Sequence, residues 1–312
     1  MAVQRMQMLN RLRRSAGSNA RIYGHRGARG VLPENTLESF IYLAGLYQTE
    51  PAAVEFDIQM TADGELVLIH DPYVPAAHTR DSEGNWLEDR GPKVIETPLE
   101  TLQSFDIGRA RLGTDYQLRY PEQQAVDGAR IPTLSEVFDW IKDHPQMLAN
   151  VEIKSYADRF DLSASPERLA QATSDLIKEY GLSEQTLVSS FDWRVLAALK
   201  QQSPDLHRGY LTYFERPNPP MQPNIFLHSP WMAGLSAVEK RTWELIADEG
   251  GIVWCPHYSD LTQENLAQAH DLGLAVNVWT VNADEEILRL NQIGVDGIIT
   301  DYPERALALL RM

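Results

Sequence analysis

The residues best suited to chemistry stand where the first predicted strand ends. That strand closes on Gly24-His25-Arg26-Gly27, and Pro33-Glu34-Asn35-Thr36 follows at a predicted helix start. Glycines beside a histidine and an arginine let the backbone approach a ligand closely, and a nearby helix N-terminus favours an anion. The segment therefore predicts an anion site, although His25 alone is as typical of a structural histidine as of a catalytic one.

Three carboxylates stand on two further predicted strands. Glu55 and Asp57 are two residues apart and share one face of a strand, and Glu152 with Lys154 repeats this spacing in a later strand. Carboxylates held side by side repel each other unless a proton or a cation lies between them. Their apolar neighbours argue against simple solvent exposure. Three such side chains on neighbouring strands predict an all-oxygen site for a hard cation, Mg²⁺ or Ca²⁺.

A second histidine ends a predicted hairpin. The residues Thr61–Gly64 separate the second strand from a return strand that ends at His70, and so short a loop requires an antiparallel return. With a four-residue loop, Met60 pairs with Glu65 and His70 lies on the face of Glu55. With a three-residue loop, His70 lies on the opposite face. We expect the four-residue loop, or a bulge that restores the same face.

The scaffold that must position these residues alternates between strands and helices. Short apolar runs predict eight strands, Arg21–His25, Ala53–Ile58, Ala149–Lys154, Thr186–Phe191, Arg208–Leu211, Ile252–Pro256, Ala275–Thr280 and Gly297–Asp301. Apolar residues at three- and four-residue spacing predict helices over Leu37–Gln48, Leu134–Lys142, Pro166–Tyr180, Arg194–Gln202, Ala237–Asp248, Gln263–Leu272, Glu285–Gln292 and Glu304–Leu310. Asn35 with Glu38 predicts a capping box, and Gly181 and Gly273 predict helix C-termini.

Eight strand–helix units with strands apolar on both faces predict an α/β fold, a (β/α)8 TIM barrel. A doubly wound open sheet is the alternative. We expect residues 1–20 to form a frayed or weakly amphipathic lead-in and residues 21–312 to form a single domain. The Pro-, Gly- and charge-rich stretch of about residues 71–130 predicts a small subdomain inserted after the hairpin, and Arg216–Pro223 predicts a stiff loop above one barrel end.

Composition excludes several classes of protein. The chain has 312 residues with 28 Lys and Arg against 44 Asp and Glu, a formal net charge of −16, which argues against nucleic-acid binding. A hydrophobic content of 43% is typical of a globular protein. No run approaches the roughly 18 apolar residues of a membrane span, so no stable membrane insertion is expected. The single Cys255 excludes an internal disulfide, and with no signal peptide in the sequence it predicts a cytoplasmic location.

In order along the chain, these motifs resemble the signature of the glycerophosphodiester phosphodiesterase family. The resemblance covers about Ile22 to Ala306. It rests on His25-Arg26-Gly27, Pro33-Glu34-Asn35-Thr36, Glu55-Phe56-Asp57, Thr61-Ala62-Asp63-Gly64, His70-Asp71, Glu152-Ile153-Lys154, Ser190-Phe191, Val278-Trp279-Thr280 and Gly294-Val295-Asp296-Gly297-Ile298-Ile299-Thr300-Asp301-Tyr302-Pro303.

The resemblance implies a metal-dependent TIM-barrel enzyme that hydrolyses glycerophosphodiesters, which are small molecules, to sn-glycerol 3-phosphate and an alcohol, by way of a cyclic glycerol phosphate. It implies one divalent cation, Mg²⁺ or Ca²⁺. Matched by position, the resemblance implies that the catalytic acid–base pair is His25 and His70. It implies that the metal ligands are Glu55, Asp57 and Glu152, and that the phosphate-side cations are Arg26 and Lys154.

A glycerol moiety also needs an apolar wall with a few polar contacts. Phe191 and Trp279 at strand ends are candidates for this substrate contact, as is Tyr302. Aromatic residues at a barrel rim that merely cap the core are the alternative. Cys255 and His257 are not expected to bind metal, because the sequence offers no further cysteine or suitably spaced histidine. The other histidines are predicted to lie at the surface or in loops: His78, His144, His207, His228 and His270.

Two other functions are compatible with the same residues. The first is a phospholipase D-like cleavage of lipid headgroups on the same barrel, which the net charge of −16 disfavours at anionic bilayers. The second is a protein that binds glycerophosphodiesters without catalysis, which would not require an acid–base pair. The sequence leaves the preferred alcohol and the oligomeric state open.

Overall fold

Nine strands form one sheet that closes on itself. The computed structural model describes residues 2–47, 51–237 and 240–311. The strands are β1 Arg21–His25, β2 Ala53–Met60, β3 Leu66–Leu68, β4 Leu148–Ile153, β5 Thr186–Ser190, β6 His207–Thr212, β7 Val253–Pro256, β8 Ala275–Val278 and β9 Gly297–Thr300.

Eleven α-helices lie within the described residues, and most of them connect successive strands. They are α1 Ala2–Leu12, α2 Leu37–Leu46, α3 Leu99–Gln103, α4 Asp115–Arg119, α5 Leu134–Lys142, α6 Pro166–Glu179, α7 Trp193–Gln202, α8 Thr242–Asp248, α9 Gln263–Asp271, α10 Asp284–Ile293 and α11 Pro303–Arg311. The predicted helix Ala237–Asp248 starts later than expected, and residues 238–239 lie outside the described part of the chain.

The strand order confirms the predicted (β/α)8 barrel. Going round the sheet, the order is β1-β9-β8-β7-β6-β5-β4-β2, and β1 pairs with β2 to close the ring. All of these pairs are parallel, whereas β3 lies antiparallel to β2. A doubly wound open sheet would leave two unpaired edges, so that alternative is wrong.

The barrel strands are rich in apolar residues because both of their faces are buried. Two apolar clusters fill the space between the sheet and the outer helices, with Phe56 and Val151 in one and Trp254 in the other. A third cluster fills the barrel interior and includes Tyr23 and Leu148. This double burial is the reason that near-continuous apolar runs identified the strands correctly.

The lead-in forms a helix that covers the base of the barrel. Met8 and Leu12 of α1 are 0% and 1% exposed and belong to the interior cluster with Leu187 and Ile252. Helix α1 therefore buries one face against the barrel core and, with Met6 60% exposed, leaves another at the surface. Arg5 and Arg14 extend from this segment and donate to the backbone carbonyls of Gly250 and Asn291 at 2.9 and 2.7 Å.

The stretch after the hairpin contains short helices around a small apolar cluster of its own. Besides α3 and α4, it contains short 3-10 turns at Ala76–His78 and Val94–Glu96. Its cluster includes Val74, Leu102 and Ile107 and reaches the hairpin. The part of the chain predicted to be an inserted subdomain thus packs against β3 next to the carboxyl ends of β1 and β2.

Two local predictions are wrong. Met60 pairs with Leu66 and not with Glu65, so the predicted four-residue register is absent. In the observed register, a strand that continued to residue 70 would place His70 on the other face of the sheet from Glu55. Strand β3 ends at Leu68, however, and the chain leaves the sheet before His70. The N-cap of α2 is Thr36, whose side chain accepts from the Ser39 amide. The Asn35 side chain is used elsewhere, as described below.

The helix C-termini behave as predicted. Gly181 and Gly273 follow α6 and α9 with φ of +69° and +79°, a left-handed conformation that glycine adopts without a steric penalty.

Among the described residues, no helix combines the length and the apolar character that crossing a bilayer requires.

Candidate active site

The turn after β1 brings His25 and Arg26 close to the carboxylates of β2. A Cβ atom at Gly24 would collide with the carbonyl oxygen of Gly27, so this turn requires glycine. Arg26 has φ of +50°, and its backbone amide donates to Oε2 of Glu55 at 3.1 Å. The left-handed residue therefore aims a backbone donor and a guanidinium at the same carboxylate cluster.

The three predicted metal ligands converge at the carboxyl ends of β2 and β4. Glu55, Asp57 and Glu152 each offer an oxygen, and these oxygens lie within 4.8 Å of one another. All three residues are buried, with exposures of 3%, 0% and 7%. Among the described residues, this is the one group of at least three such side chains with metal-binding geometry.

The carboxylates of this cluster differ in electrostatic surroundings. Burial, together with repulsion from Asp57 and Glu152, raises the pKa of Glu55 well above its usual value. Burial also opposes ionisation of Asp57, but Lys154 and Arg26 hold its pKa well below the usual value. The cluster therefore contains one carboxylate that lacks sufficient positive charge nearby.

Two cations flank the cluster. Nε of Arg26 lies 3.1 Å from Oδ2 of Asp57. Nζ of Lys154 lies 3.2 Å from Oδ1 of Asp57 and 2.6 Å from Oε1 of Glu152. These are the two side chains that the resemblance placed beside the phosphate. Arg26 is buried beside the acidic cluster, and Lys154 is partly buried there.

The donor set fits a hard divalent cation. Oε1 of Glu55 is buried and has no hydrogen-bond partner in the described structure, although a buried carboxylate oxygen normally has one. Three carboxylates supply only oxygen ligands, which Mg²⁺ and Ca²⁺ prefer. A cation would satisfy Oε1 of Glu55 and relieve the repulsion within the cluster.

Asn35 keeps the Asp57 carboxylate of β2 in place. Its amide Nδ2 donates to Oδ2 of Asp57 at 3.1 Å, and its Oδ1 accepts from the Asp57 amide at 3.3 Å. Asn35 has φ of +55°, a conformation that asparagine tolerates better than most residues. The side chain therefore serves the site, which explains why it does not cap α2.

His25 is oriented by a buried carboxylate. Its Nδ1 lies 2.6 Å from Oδ1 of Asp301 at the end of β9, and its Nε2 lies 3.8 Å from Oε2 of Glu55. Arg29 also binds Asp301, with Nε 2.9 Å from Oδ1. Burial first, and then the nearby Arg29 charge, lower the pKa of His25 to about 4. The contact with Asp301 directs Nε2 towards the acidic cluster.

His70 reaches the same end of the barrel by a different route. Gln59 of β2 donates to the carbonyls of His70 and Asp71 at 3.0 and 2.6 Å, which bends the chain after β3. Nδ1 of His70 lies 2.6 Å from Oδ1 of Asp71. Burial opposes ionisation of Asp57, and its pKa is lowered chiefly by Lys154 and Arg26, with smaller contributions from His70 and His25. Each histidine thus has its Nδ1 atom held by a carboxylate.

Two aromatic side chains, Phe191 and Trp279, form a wall beside the site. Phe191 follows β5 and Trp279 follows β8, and their rings are perpendicular with centroids 5.0 Å apart. Nζ of Lys154 lies 5.9 Å from the Phe191 centroid, so the wall adjoins the cationic side of the site. Tyr302 lies apart from this pair, since its ring contacts Gly30 and the Arg305 guanidinium.

Sequence reasoning missed several residues that organise the site. Asp301 and Arg29 support His25, and Glu34 accepts from Nη1 of Arg26 at 2.7 Å. Asp301 follows the last apolar strand directly, which is a signal that could have identified it. The predicted surface or loop position of His207 is wrong, because it lies on β6 and is 4% exposed. His78 lies in a 3-10 turn between strands, although it is buried there.

A TIM barrel with imidazoles, carboxylates and cations gathered at the carboxyl ends of its strands has the architecture of a barrel enzyme, whose active site lies at that face. The sequence matches the Glycerophosphoryl diester phosphodiesterase family over residues 25–305. The chain belongs to this family and is a glycerophosphodiester phosphodiesterase.

Individual relatives agree with this assignment. A "Glycerophosphodiester phosphodiesterase" of Caldanaerobacter subterraneus subsp. tengcongensis is 31% identical over 290 residues, which cover 93% of this chain and 97% of that protein. The crystal structure of a putative glycerophosphoryl diester phosphodiesterase from Silicibacter pomeroyi is 35% identical, with a TM-score of 0.83 and coverage of 98% and 97%. A phosphodiesterase from Oleispira antarctica, solved with the product sn-glycerol-3-phosphate, shares the fold at 23% identity, a TM-score of 0.68 and coverage of 94% and 98%.

Proposed function

We propose that this enzyme hydrolyses glycerophosphodiesters to sn-glycerol 3-phosphate and an alcohol, using a divalent cation and a pair of histidines. The observation that carries this proposal is the convergence of Glu55, Asp57 and Glu152 within 4.8 Å, at a site flanked by Arg26, Lys154 and His25. The Oleispira antarctica relative, which was solved with sn-glycerol-3-phosphate, supports a small-molecule substrate of this kind.

The carboxylates of Glu55, Asp57 and Glu152 would hold the cation, for which Mg²⁺ and Ca²⁺ are the candidates. When bound, a cation of this type stabilises negative charge that develops on phosphate and glycerol oxygens. The guanidinium of Arg26 and the ammonium of Lys154 would bind the phosphodiester and share this load. Both side chains are only about 10% exposed, which strengthens these interactions because little water screens them.

The two imidazoles would move the protons. One histidine, neutral near pH 7, deprotonates the substrate's own neighbouring hydroxyl, which then attacks phosphorus. The other, protonated, donates to the oxygen of the departing alcohol as the phosphorus–oxygen bond breaks. A cyclic glycerol phosphate results, and its hydrolysis by water reverses the roles of the two histidines.

The carboxylate partners of the histidines support these roles. Asp301 and Asp71 each lie 2.6 Å from the Nδ1 atom of their histidine, so that Nε2 is the ring nitrogen that would exchange protons with the substrate. A proton on Nδ1 fixes the tautomer in which Nε2 is the acceptor, as general-base catalysis requires. Phe191 and Trp279 would supply the apolar wall for the glycerol moiety.

Glycerophosphocholine hydrolysis tests this proposal. Incubation should release sn-glycerol 3-phosphate and choline, EDTA should abolish the release, and added Mg²⁺ or Ca²⁺ should restore it. Release of phosphocholine instead would place the cut on the wrong side of phosphorus. Undiminished turnover in EDTA would contradict the role of a divalent cation, and turnover confined to lipid substrates would favour the phospholipase alternative.

A further inference from the structure

We propose that Tyr116 of the segment after the hairpin is a positioning residue, which holds the phosphate-side guanidinium of Arg26 through the carboxylate of Glu34. The inference rests on the proposed function, in which Arg26 binds the phosphodiester. It assigns a catalytic purpose to the segment of about residues 71–130, which otherwise packs as a small unit with its own apolar cluster.

The contact runs through a single carboxylate. Oη of Tyr116, on α4, donates to Oε2 of Glu34 at 2.9 Å. The other oxygen of Glu34, Oε1, accepts from Nη1 of Arg26 at 2.7 Å. Because a carboxylate is planar and rigid, fixing one oxygen fixes the direction in which the other accepts. The guanidinium of Arg26 is thereby held from the side opposite Asp57.

Burial and charge make this contact strong. Glu34 is only 7% exposed. Burial opposes its ionisation, but Arg26 and Arg29 hold its pKa far below the usual value, so it accepts as a carboxylate. Apart from the Tyr116 hydroxyl, Oε2 faces Nη1 of Arg29 at 3.7 Å, which is too long for a hydrogen bond. Glu34 would then be free to turn towards Arg29 and away from Arg26.

The segment of about residues 71–130 contacts the loop between β1 and α2 at two further points. Nε2 of Gln123 donates to the Arg29 carbonyl at 2.7 Å and to Oη of Tyr116 at 3.1 Å. The guanidinium of Arg29 lies 4.7 Å from the centroid of the Tyr120 ring, a cation–π distance. The segment therefore contacts residues that hold both Arg26 and His25.

A matched pair of variants isolates the Tyr116 hydroxyl. Tyr116→Phe removes the donor to Glu34, and Tyr42→Phe removes a hydroxyl that donates to Glu304 on the outer surface between α2 and α11. Hydrolysis of glycerophosphocholine is measured for both. For Tyr116→Phe we expect kcat/KM to fall about tenfold, with a raised KM, since a hydrogen bond to a charged group is lost. For Tyr42→Phe we expect a change below about twofold.

A double-mutant cycle with Glu34→Gln separates positioning from a general structural effect. In glutamine, an NH2 group replaces one of the two carboxylate oxygens and accepts from neither donor, so the side chain in this orientation loses either the Tyr116 or the Arg26 contact. We therefore expect Tyr116→Phe to change kcat/KM by less than about twofold in the Glu34→Gln background. Multiplicative losses in the double variant, or a Tyr116→Phe enzyme with the wild-type KM, would overturn the proposal.

Two further measurements keep the outcomes distinct. Arg26→Lys should raise KM by itself. If it does not, the proposed phosphate role of Arg26 fails. If Arg26→Lys raises KM and Tyr116→Phe does not, only the proposed role of Tyr116 fails. Should Tyr116→Phe not fold, hydrogen exchange on the unmodified enzyme decides. Because coupling is reciprocal, sn-glycerol 3-phosphate should slow exchange of the amides of α4. Unchanged exchange there would contradict the coupling.

Discussion

The two histidines of the site occupy different electrostatic surroundings despite similar contacts. The carboxylate of Asp301, which binds Nδ1 of His25, is buried and also bound by Arg29 and Asn282. The carboxylate of Asp71, which binds Nδ1 of His70, is 55% exposed. The pKa of His25 is lowered to about 4, by burial and then by Arg29, so this imidazole is neutral at pH 7 in the described arrangement.

Replacing either histidine should disable catalysis. If His25 and His70 act as acid and base, His25→Ala and His70→Ala should each lower kcat by about 10² to 10⁴. His144→Ala is the control, because His144 lies before β4 at the other end of the barrel and its imidazole contacts Trp140, through the carbonyl oxygen and the ring. Losses below about tenfold in both variants would show that the imidazoles are not the acid–base pair.

In the metal-free protein, the acidic cluster should lower the free energy of unfolding at pH values above the ordinary pKa of a glutamate. The pKa of Glu55 is raised by burial and by Asp57 and Glu152. A carboxyl group of this kind favours the folded state fully below its unfolded pKa of about 4.3 and loses that contribution as pH rises through its folded pKa. In EDTA, Glu55→Gln should therefore stabilise the fold by about 1 to 3 kcal/mol near pH 8 and by much less near pH 4.

Thermal unfolding in EDTA across this pH range measures the effect. Glu38→Gln, an exposed carboxylate on α2, is the matched control and should show no such trend. Greater stability of the unmodified protein than of Glu55→Gln at pH 8 in EDTA would mean that the cluster is already neutralised. Divalent cations should stabilise the unmodified protein more than Glu55→Gln.

At the scale of single residues, the sequence predicted the first contacts of the site but not their support. Glu55, Asp57 and Lys154 were found because strand periodicity reveals residues that share a face. Asp301 and His25 are 276 residues apart, and no spacing rule connects them. Asn35 was assigned to a helix cap because its position fits one, but its amide binds Asp57 in the folded protein.

The strands and helices were predictable because each barrel strand is covered on both faces and each outer helix on one. The hairpin was not, since its outcome depends on where the chain leaves the sheet. Strand β3 stops at Leu68, and the Gln59 side chain donates to the carbonyls that follow. Because of this bend, His70 lies near the site even though the strand register alone would place it on the other face of the sheet.

Helix α1 should contribute to stability and not to catalysis. Leu12 is 1% exposed against the barrel interior, so Leu12→Ala should cost about 2 to 5 kcal/mol of unfolding free energy. Met6 on the same helix is 60% exposed, and Met6→Ala should cost less than about 0.5 kcal/mol. Chemical denaturation measures both values, and kcat of the folded Leu12→Ala enzyme should be unchanged. Equal destabilisation by the two variants would contradict the packing at the base.

Across the whole molecule, stability and chemistry are divided between the two ends of the barrel. The base is closed by α1, while the carboxyl-end face gathers groups from β1, β2, β4 and β9. A chain of net charge −16 repels anions at long range, so an anionic substrate must be held by local cations. Arg26 and Lys154 provide that local charge beside the carboxylates.

The central claim is that one divalent cation binds between the three carboxylates and beside the phosphate. Crystals grown with Mn²⁺ and sn-glycerol 3-phosphate test it directly, because anomalous scattering locates the ion independently of its neighbours. We expect one strong peak about 2.0 to 2.6 Å from oxygens of Glu55, Asp57 and Glu152, in contact with the phosphate or glycerol oxygens. Product bound at the site with no peak there, and Lys154 still between Asp57 and Glu152, would contradict the claim.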